Sequence, residues 1–196
     1  MNSLSNVSEI YPDIVLIKDA IGRHRVDFFN RWIEDNIDLF GQMHAVTKEI
    51  EAYYSENKDR PLAYFVKHED SVDEPLQVMF KDIQNKYSEY YDKNYGSIVG
   101  ISGDEGYRFS IYTSQNSTYK FHTDSSYVNK HRRVSCIVCL SGSEEYDGGQ
   151  LHFPRFNAKI KLKCGEAILF PSIYTHPHEV LPVTGGQRKT VMTWFI

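Results

Sequence analysis

Apolar residues change their spacing once along this chain of 196 residues. Between roughly residues 22 and 95 they recur every three or four positions. Val26, Phe29, Ile33 and Ile37 suit one amphipathic helix face, and Leu76, Met79, Phe80, Ile83 and Tyr87 suit another. Ahead of them, "DIVLIKDA" at 13–20 predicts a first strand, while the acidic stretch "KHEDSVDE" between Pro61 and Pro75 reads as a loop or solvated turn. From Tyr107 onward the texture shifts to short β-branched and aromatic runs separated by turn signals. The pattern predicts strands near 107–113, 118–124, 133–140, 149–153, 158–163, 166–170, 178–183 and 189–195, with hairpin-type turns at "DGG" (147–149) and "CGE" (164–166). Short strands at that density predict a sandwich or jelly roll. The expected fold class is mainly β with N-terminal helices (α+β). It forms one domain over 1–196, in which 1–106 supply a strand and supporting helices and 107–196 form the β core.

Composition narrows the function without naming it. With 41% hydrophobic, 14% aromatic and 24% charged residues, the chain has the make-up of a globular protein. Its net charge of -4 advertises neither nucleic acid nor an anionic membrane as a partner. The N-terminus lacks a basic segment followed by a long apolar run, and no apolar stretch approaches the roughly 20 residues that span a bilayer. A cytoplasmic protein is expected. Its three cysteines, Cys136, Cys139 and Cys164, are too few for a disulfide framework. Cys136 and Cys139 have C-x-x-C spacing but sit inside "RRVSCIVCLSG", a buried-strand pattern in which positions three apart face opposite sides, so both read as core residues.

The candidate chemistry begins at "YKFHTDSS", 119–126. On a strand, His122 and Asp124 project from the same face, a two-point grip on a cation. A third donor is available in "PSIYTHPHEVLPVTGGQRKTVMTWFI", which offers His176 and His178. Two histidines and one carboxylate with the other metal positions open favour non-haem Fe(II) and O2 chemistry, and spacing alone leaves zinc and manganese open.

Several segments, in order, carry a family resemblance: Tyr112, six residues, Tyr119 and then "FHTD"; "RVSCIVCLS"; "GGQLHFP"; "GEAILFPS"; and "HEVLPVTGGQRKTVMTW". Over about 90 residues the chain resembles the 2-oxoglutarate- and Fe(II)-dependent dioxygenases, in particular the prolyl 4-hydroxylase-like branch. The resemblance implies a double-stranded β-helix (cupin-like jelly roll) core. It selects His178 over His176, since the distal ligand opens an H-x-V-x-P-V-T segment followed by G-x-R. Fe(II) ligands His122, Asp124 and His178 are thereby implied, with Arg188 pairing the distal carboxylate of 2-oxoglutarate as guanidinium pairs carboxylates generally. Tyr112 is similar to a family tyrosine that supports that carboxylate, Tyr119 to an aromatic of the cavity lining, and Trp194 to one behind the site. One departure is Cys139, which occupies a position where close relatives carry a tyrosine.

The implied activity uses Fe(II), 2-oxoglutarate and O2, with ascorbate in support, and couples release of succinate and CO2 to hydroxylation of an unactivated C–H. A prolyl residue in a peptide or protein is the expected substrate, clasped by loops 125–133 and 67–75. A free amino acid is the alternative within the same chemistry. A metal-binding jelly-roll module without catalysis is the alternative from another class, and it would have no use for Arg188.

Overall fold

A computed structural model of the protein describes residues 4–42, 60–96, 100–114 and 117–196. The part of the expected helical half at 43–59 lies outside them. Two antiparallel sheets face each other. The larger runs β1 (Val7–Tyr11), β2 (Ile14–Ile17), β11 (Ala167–Pro171), β7 (Val134–Cys139), β13 (Val183–Phe195), β5 (Asp104–Thr113), β4 (Leu62–Phe65) and β3 (Gly41–Gln42). A short strand, β8 (Tyr146–Gly148), pairs with the start of β13. The smaller sheet runs β10 (Ala158–Ile160), β9 (Leu151–Phe153), β12 (His178–Val180) and β6 (Tyr119–His122).

The central strands are apolar on both faces because both are covered. β7 is buried at every position. Its Cys136 and Val138 pack with the helices, while Ile137 and Cys139 point between the sheets, so the two cysteines do face opposite sides. β5 divides in the same way. Phe109 and Ile111 meet the helices, and Arg108, Ser110 and Tyr112 alternate with them toward the smaller sheet. The helical layer consists of α1 (Arg23–Asp35) and α2 (Asp73–Tyr95). Trp32 stacks on Phe109 at 5.3 Å and Phe80 on Tyr107 at 5.2 Å, fixing both helices to β5. No helix among the described residues is long and apolar enough to cross a membrane.

Four local expectations need correction. The segment read as one strand at 13–20 is the second arm of a hairpin, because Asp13, at φ 59°, turns the chain between β1 and β2. Ile37 is exposed rather than on the α1 face. The helix ends at Asp35, where the Asn36 side chain donates to the Trp32 carbonyl, and Trp32 takes the buried place. The acidic stretch is loop and turn as expected only as far as Val72, since Asp73 and Glu74 form the first turn of α2, where acids favour the positive end of the helix dipole. "DGG" is no hairpin turn: Asp147 and Gly148 belong to β8, and a Cβ at Gly148 would stand 2.1 Å from the Pro182 carbonyl, so glycine permits β8 to approach β13.

Candidate metal and anion site

Between the sheets, β6 and β12 pair with His122 directly opposite His178. Their rings lie 4.4 Å apart. The strand expected to run to 124 stops at His122, and Asp124 reaches the same place from the bend that follows. One donor atom from each of His122, Asp124 and His178 falls within 4.8 Å of the others. His176 stands apart from this group. Its Nε2 lies 2.9 Å from the Pro12 carbonyl and its Nδ1 2.9 Å from the Thr175 hydroxyl, so one ring nitrogen holds the β1–β2 hairpin and the other is engaged by the neighbouring residue.

Supporting contacts aim the donors inward. His122 Nδ1 lies 2.7 Å from the Lys120 carbonyl and His178 Nδ1 3.1 Å from the His176 carbonyl. A nitrogen facing a carbonyl carries the proton, which leaves the Nε2 lone pair of each ring free for a cation. These Nε2 atoms lie 3.4 Å and 3.7 Å from the Asp124 carboxylate oxygens. Ser135 donates to Asp124 Oδ2 at 2.5 Å and is itself 2.8 Å from the Ser172 hydroxyl. Burial pushes the Asp124 carboxyl up, but the two imidazoles and the Ser135 hydroxyl outweigh it and hold the group below the usual carboxylate range. Burial likewise pushes His178 down to about 4, only partly opposed by Asp124. One anionic carboxylate and a neutral buried imidazole are the protonation states a divalent cation needs from its ligands. The donor set, two nitrogens and one oxygen, fits Fe(II).

A second feature shares the cavity. Arg188 on β13 sits opposite Tyr112 on β5, with its guanidinium 5.0 Å from the ring centroid. Arg188 is only 2% exposed and forms no salt bridge with any described carboxylate. Burial raises the Tyr112 phenol, against the pull of Arg188, so its hydroxyl stays protonated as a donor. Tyr119 lines the cavity and meets His122 edge to face at 4.4 Å. Trp194 does not line it and stands behind, under Arg108 at 5.0 Å.

Several neighbours escaped the sequence reading. Arg108, Thr190 and Met192 line the cavity, and their signal is strand parity: 108 shares a face with 112, as 190 and 192 do with 188. Tyr146 also reaches Arg188 and Cys139; burial pushes its phenol up to about 12. The buried Cys139 thus has a tyrosine from β8 beside it. Loop 125–133 follows Asp124 directly along the chain, but neither it nor 67–75 contributes a residue to the cavity lining. His68 and Asp73 line a separate surface cleft instead.

The sequence model described as the 2OG-Fe(II) oxygenase superfamily matches residues 107–196. A PKHD-type hydroxylase of Verminephrobacter eiseniae is 35% identical over 96 residues, 44% of this chain and 41% of that protein. One of Sphingopyxis alaskensis is 39% identical over 83 residues, 39% of this chain and 37% of the other. The chain therefore spans only about 41% of the length of the first of these curated relatives. Among solved structures, a prolyl hydroxylase of Trichoplax adhaerens in complex with a hypoxia inducible factor peptide fragment superposes with a TM-score of 0.74 at 19% identity, covering 100% of this chain and 86% of that one. A Pseudomonas putida prolyl-4-hydroxylase gives 0.69 at 17%, covering 93% and 91%. Likeness at that identity establishes a common fold, the double-stranded β-helix expected from the sequence. Over the matched segment, which runs from β5 to β13 and encloses the His-Asp-His cluster, the chain is similar to the 2OG-Fe(II) oxygenase superfamily.

Proposed function

We propose that the protein is an Fe(II)- and 2-oxoglutarate-dependent oxygenase that hydroxylates a prolyl residue within a peptide or protein. The observation that carries this reading is the sharing of one cavity by an open two-histidine, one-carboxylate cluster and a buried guanidinium, Arg188, that pairs with no carboxylate among the described residues. A structural metal site has no need of that second element. His122, Asp124 and His178 would hold the iron, and Arg188, with the Tyr112 hydroxyl beside it, would take the distal carboxylate of 2-oxoglutarate. The iron, when bound, supplies the O2 activation that no protein side chain offers. In net terms one oxygen atom of O2 enters the C–H bond and the other enters succinate, as 2-oxoglutarate loses its first carboxyl as CO2.

This chain's own contribution is placement and exclusion of water. The triad is flanked by Phe153 and Phe170 around His178 and backed by Ile137 and Leu151. Such apolar walls keep bulk solvent from the reacting centre and strengthen the charge pairing inside.

Support for a chain-like substrate comes from the surface next to the triad. Tyr127 and Tyr174 are 96% and 82% exposed, in loops joined where the Ser125 amide donates to the Ser172 carbonyl. Exposed aromatics are apt contacts for proline rings, whose stiff extended segments lose little entropy on docking. That one similar fold is solved with a peptide bound, and that the similar curated proteins are hydroxylases, agrees with this choice. A cytoplasmic setting accords with three free thiols.

The test offers proline-containing peptides and free L-proline to the enzyme with Fe(II), 2-oxoglutarate and ascorbate, and locates any added oxygen by fragmentation mass spectrometry. Oxidation of peptidyl proline alone is expected. Oxidation only of free amino acids, or of another residue type, would overturn the prolyl assignment and leave the iron chemistry standing.

A further inference from the structure

The cavity contains a second buried guanidinium that the proposed reaction does not use. Arg108 lies on β5 four residues before Tyr112, on the same face, and is 7% exposed. Its Nη2 is 2.6 Å from the Met192 thioether sulfur, a weak acceptor, and its Nε has no hydrogen-bond partner among the described residues. The rest of its surroundings are aromatic: Trp194 at 5.0 Å, Phe65 at 5.8 Å and Tyr119 at 5.9 Å from the guanidinium carbon. Among the described residues no carboxylate forms a salt bridge with it. Arg132 makes the contrast plain. Its guanidinium stacks on the same indole at 3.7 Å but is gripped by Glu105, with Nε 2.6 Å and Nη2 2.9 Å from the two carboxylate oxygens.

Arginine cannot shed its charge by losing a proton, so a buried unpaired guanidinium destabilises the site until an anion reaches it. Two anions of the cavity are already committed. The Asp124 oxygens face the imidazoles and Ser135. The co-substrate belongs to Arg188, which pairs with Tyr112 at a point on β5 about 13 Å along the strand from Arg108. The outer side of Arg108 meets Phe65, which is 58% exposed, so this end of the cavity adjoins the protein surface.

We propose that Arg108 is an anchor for a carboxylate carried by the organic substrate next to the carbon that is oxidised. The inference rests on the oxygenase reading above and adds the charge of the substrate to it. The shared chemistry has two sources: an acidic side chain beside the target proline, or the α-carboxylate of a terminal or free amino acid.

The experiment uses two pairs of probes that differ only in charge: a blocked peptide with Asp beside proline against the same peptide with Asn, and N-acetylproline against N-acetylprolinamide. Each is titrated under nitrogen into enzyme loaded with Fe(II) and 2-oxoglutarate, and read by the fluorescence of Trp194, which contacts Arg108 directly. The acidic member of at least one pair is expected to bind ten-fold or more tightly than its neutral partner, and the pair that responds identifies the source. Arg108→Met should erase the difference while iron affinity and the half-saturating 2-oxoglutarate concentration stay put, and Arg108→Lys should restore part of it. Absence of any charge preference in the unmodified enzyme overturns the proposal whether or not the variants fold. So does a preference that survives in Arg108→Met, or a raised 2-oxoglutarate requirement in that variant, which would assign Arg108 to the co-substrate. Admitting air then separates the two readings. Charge-dependent binding without proline oxidation leaves the anchor standing and removes the prolyl assignment, whereas proline oxidised with no charge preference in either pair does the reverse.

Discussion

Arg188 and Tyr112 occupy directly opposed positions of β13 and β5, and the guanidinium lies 5.0 Å from the tyrosine ring centroid, both side chains being buried. That pairing holds a charged group at a fixed depth between the sheets. It also leaves the guanidinium edge available for an anion. Arg188→Ala should therefore raise the half-saturating 2-oxoglutarate concentration by a factor corresponding to about 2 to 5 kcal/mol, the scale of losing one partner of a buried charge pair. Iron binding should survive. Arg188→Lys should recover little, because an ammonium cannot make the two parallel hydrogen bonds of a guanidinium. Succinate formation against 2-oxoglutarate concentration gives the result, and an unchanged curve for Arg188→Ala would detach this residue from the co-substrate.

The metal assignment separates two histidines that are only two positions apart. His122→Ala, Asp124→Ala and His178→Ala should each lose tight metal binding, measured by titration under nitrogen with Fe(II) or with Mn(II) as a spectroscopic substitute. His176→Ala should retain it, since that ring contacts Thr175 and Pro12 rather than the cluster. It should instead cost stability, about 0.5 to 1.5 kcal/mol for the loss of a part-buried hydrogen bond. A His176→Ala protein that is stable but metal-free, beside a His178→Ala protein that still binds, would reverse the assignment.

Much of the layered fold was legible because burial on both faces leaves a strong signal in sequence. β7 and β11 are continuous apolar runs, and α2 repeats its apolar residues at helical spacing. Legibility failed where tertiary contacts override local preference. Gly185 and Gly186 read as a break between strands, yet β13 runs unbroken from Val183 to Phe195, because Gly186 at φ 66° lets the chain pass close to the Glu145 carbonyl. The site divides in the same way. Family motifs named His122, Asp124, His178 and Arg188, and the fold brings these to one cavity. Arg108 was missed because a lone arginine in "YRFSIY" looks like an exposed strand residue until a second sheet covers its face.

Gly149 links a sequence motif to the anion site. It has φ 63°, and a Cβ there would stand 2.8 Å from Val183 Cγ2 and 3.0 Å from Arg188 Cδ. Gly149→Ala should cost about 1 to 2 kcal/mol from the left-handed backbone alone. For a protein of this size that lowers the melting temperature by roughly 2 to 8 °C. The displaced Arg188 stem should also raise the 2-oxoglutarate requirement while the iron ligands stay in place. Thermal unfolding together with the 2-oxoglutarate dependence tests both parts, and a destabilised variant with an unaltered co-substrate requirement would show that the contact with Arg188 relaxes freely.

The exposed tyrosines give the peptide reading its own test, independent of the iron. Tyr127 and Tyr174 flank the triad on the segments after Asp124 and before His178, and at 96% and 82% exposure they support little of the core. Replacing either by Ala should shift stability by no more than about 0.5 kcal/mol, as is usual for surface positions. If they pack against a bound chain, each truncation should cost about 1 kcal/mol or more in peptide affinity, the range seen for aromatic contacts at interfaces. The substrate concentration for half-maximal oxidation should then rise at least five-fold, with the rate at saturating peptide nearly unchanged. Slow 2-oxoglutarate turnover in the absence of peptide should be unaffected, since neither ring lines the cavity. Equal half-saturation for the native enzyme and both variants would mean that the substrate does not cross these loops, and would favour a small molecule bound wholly within the cavity.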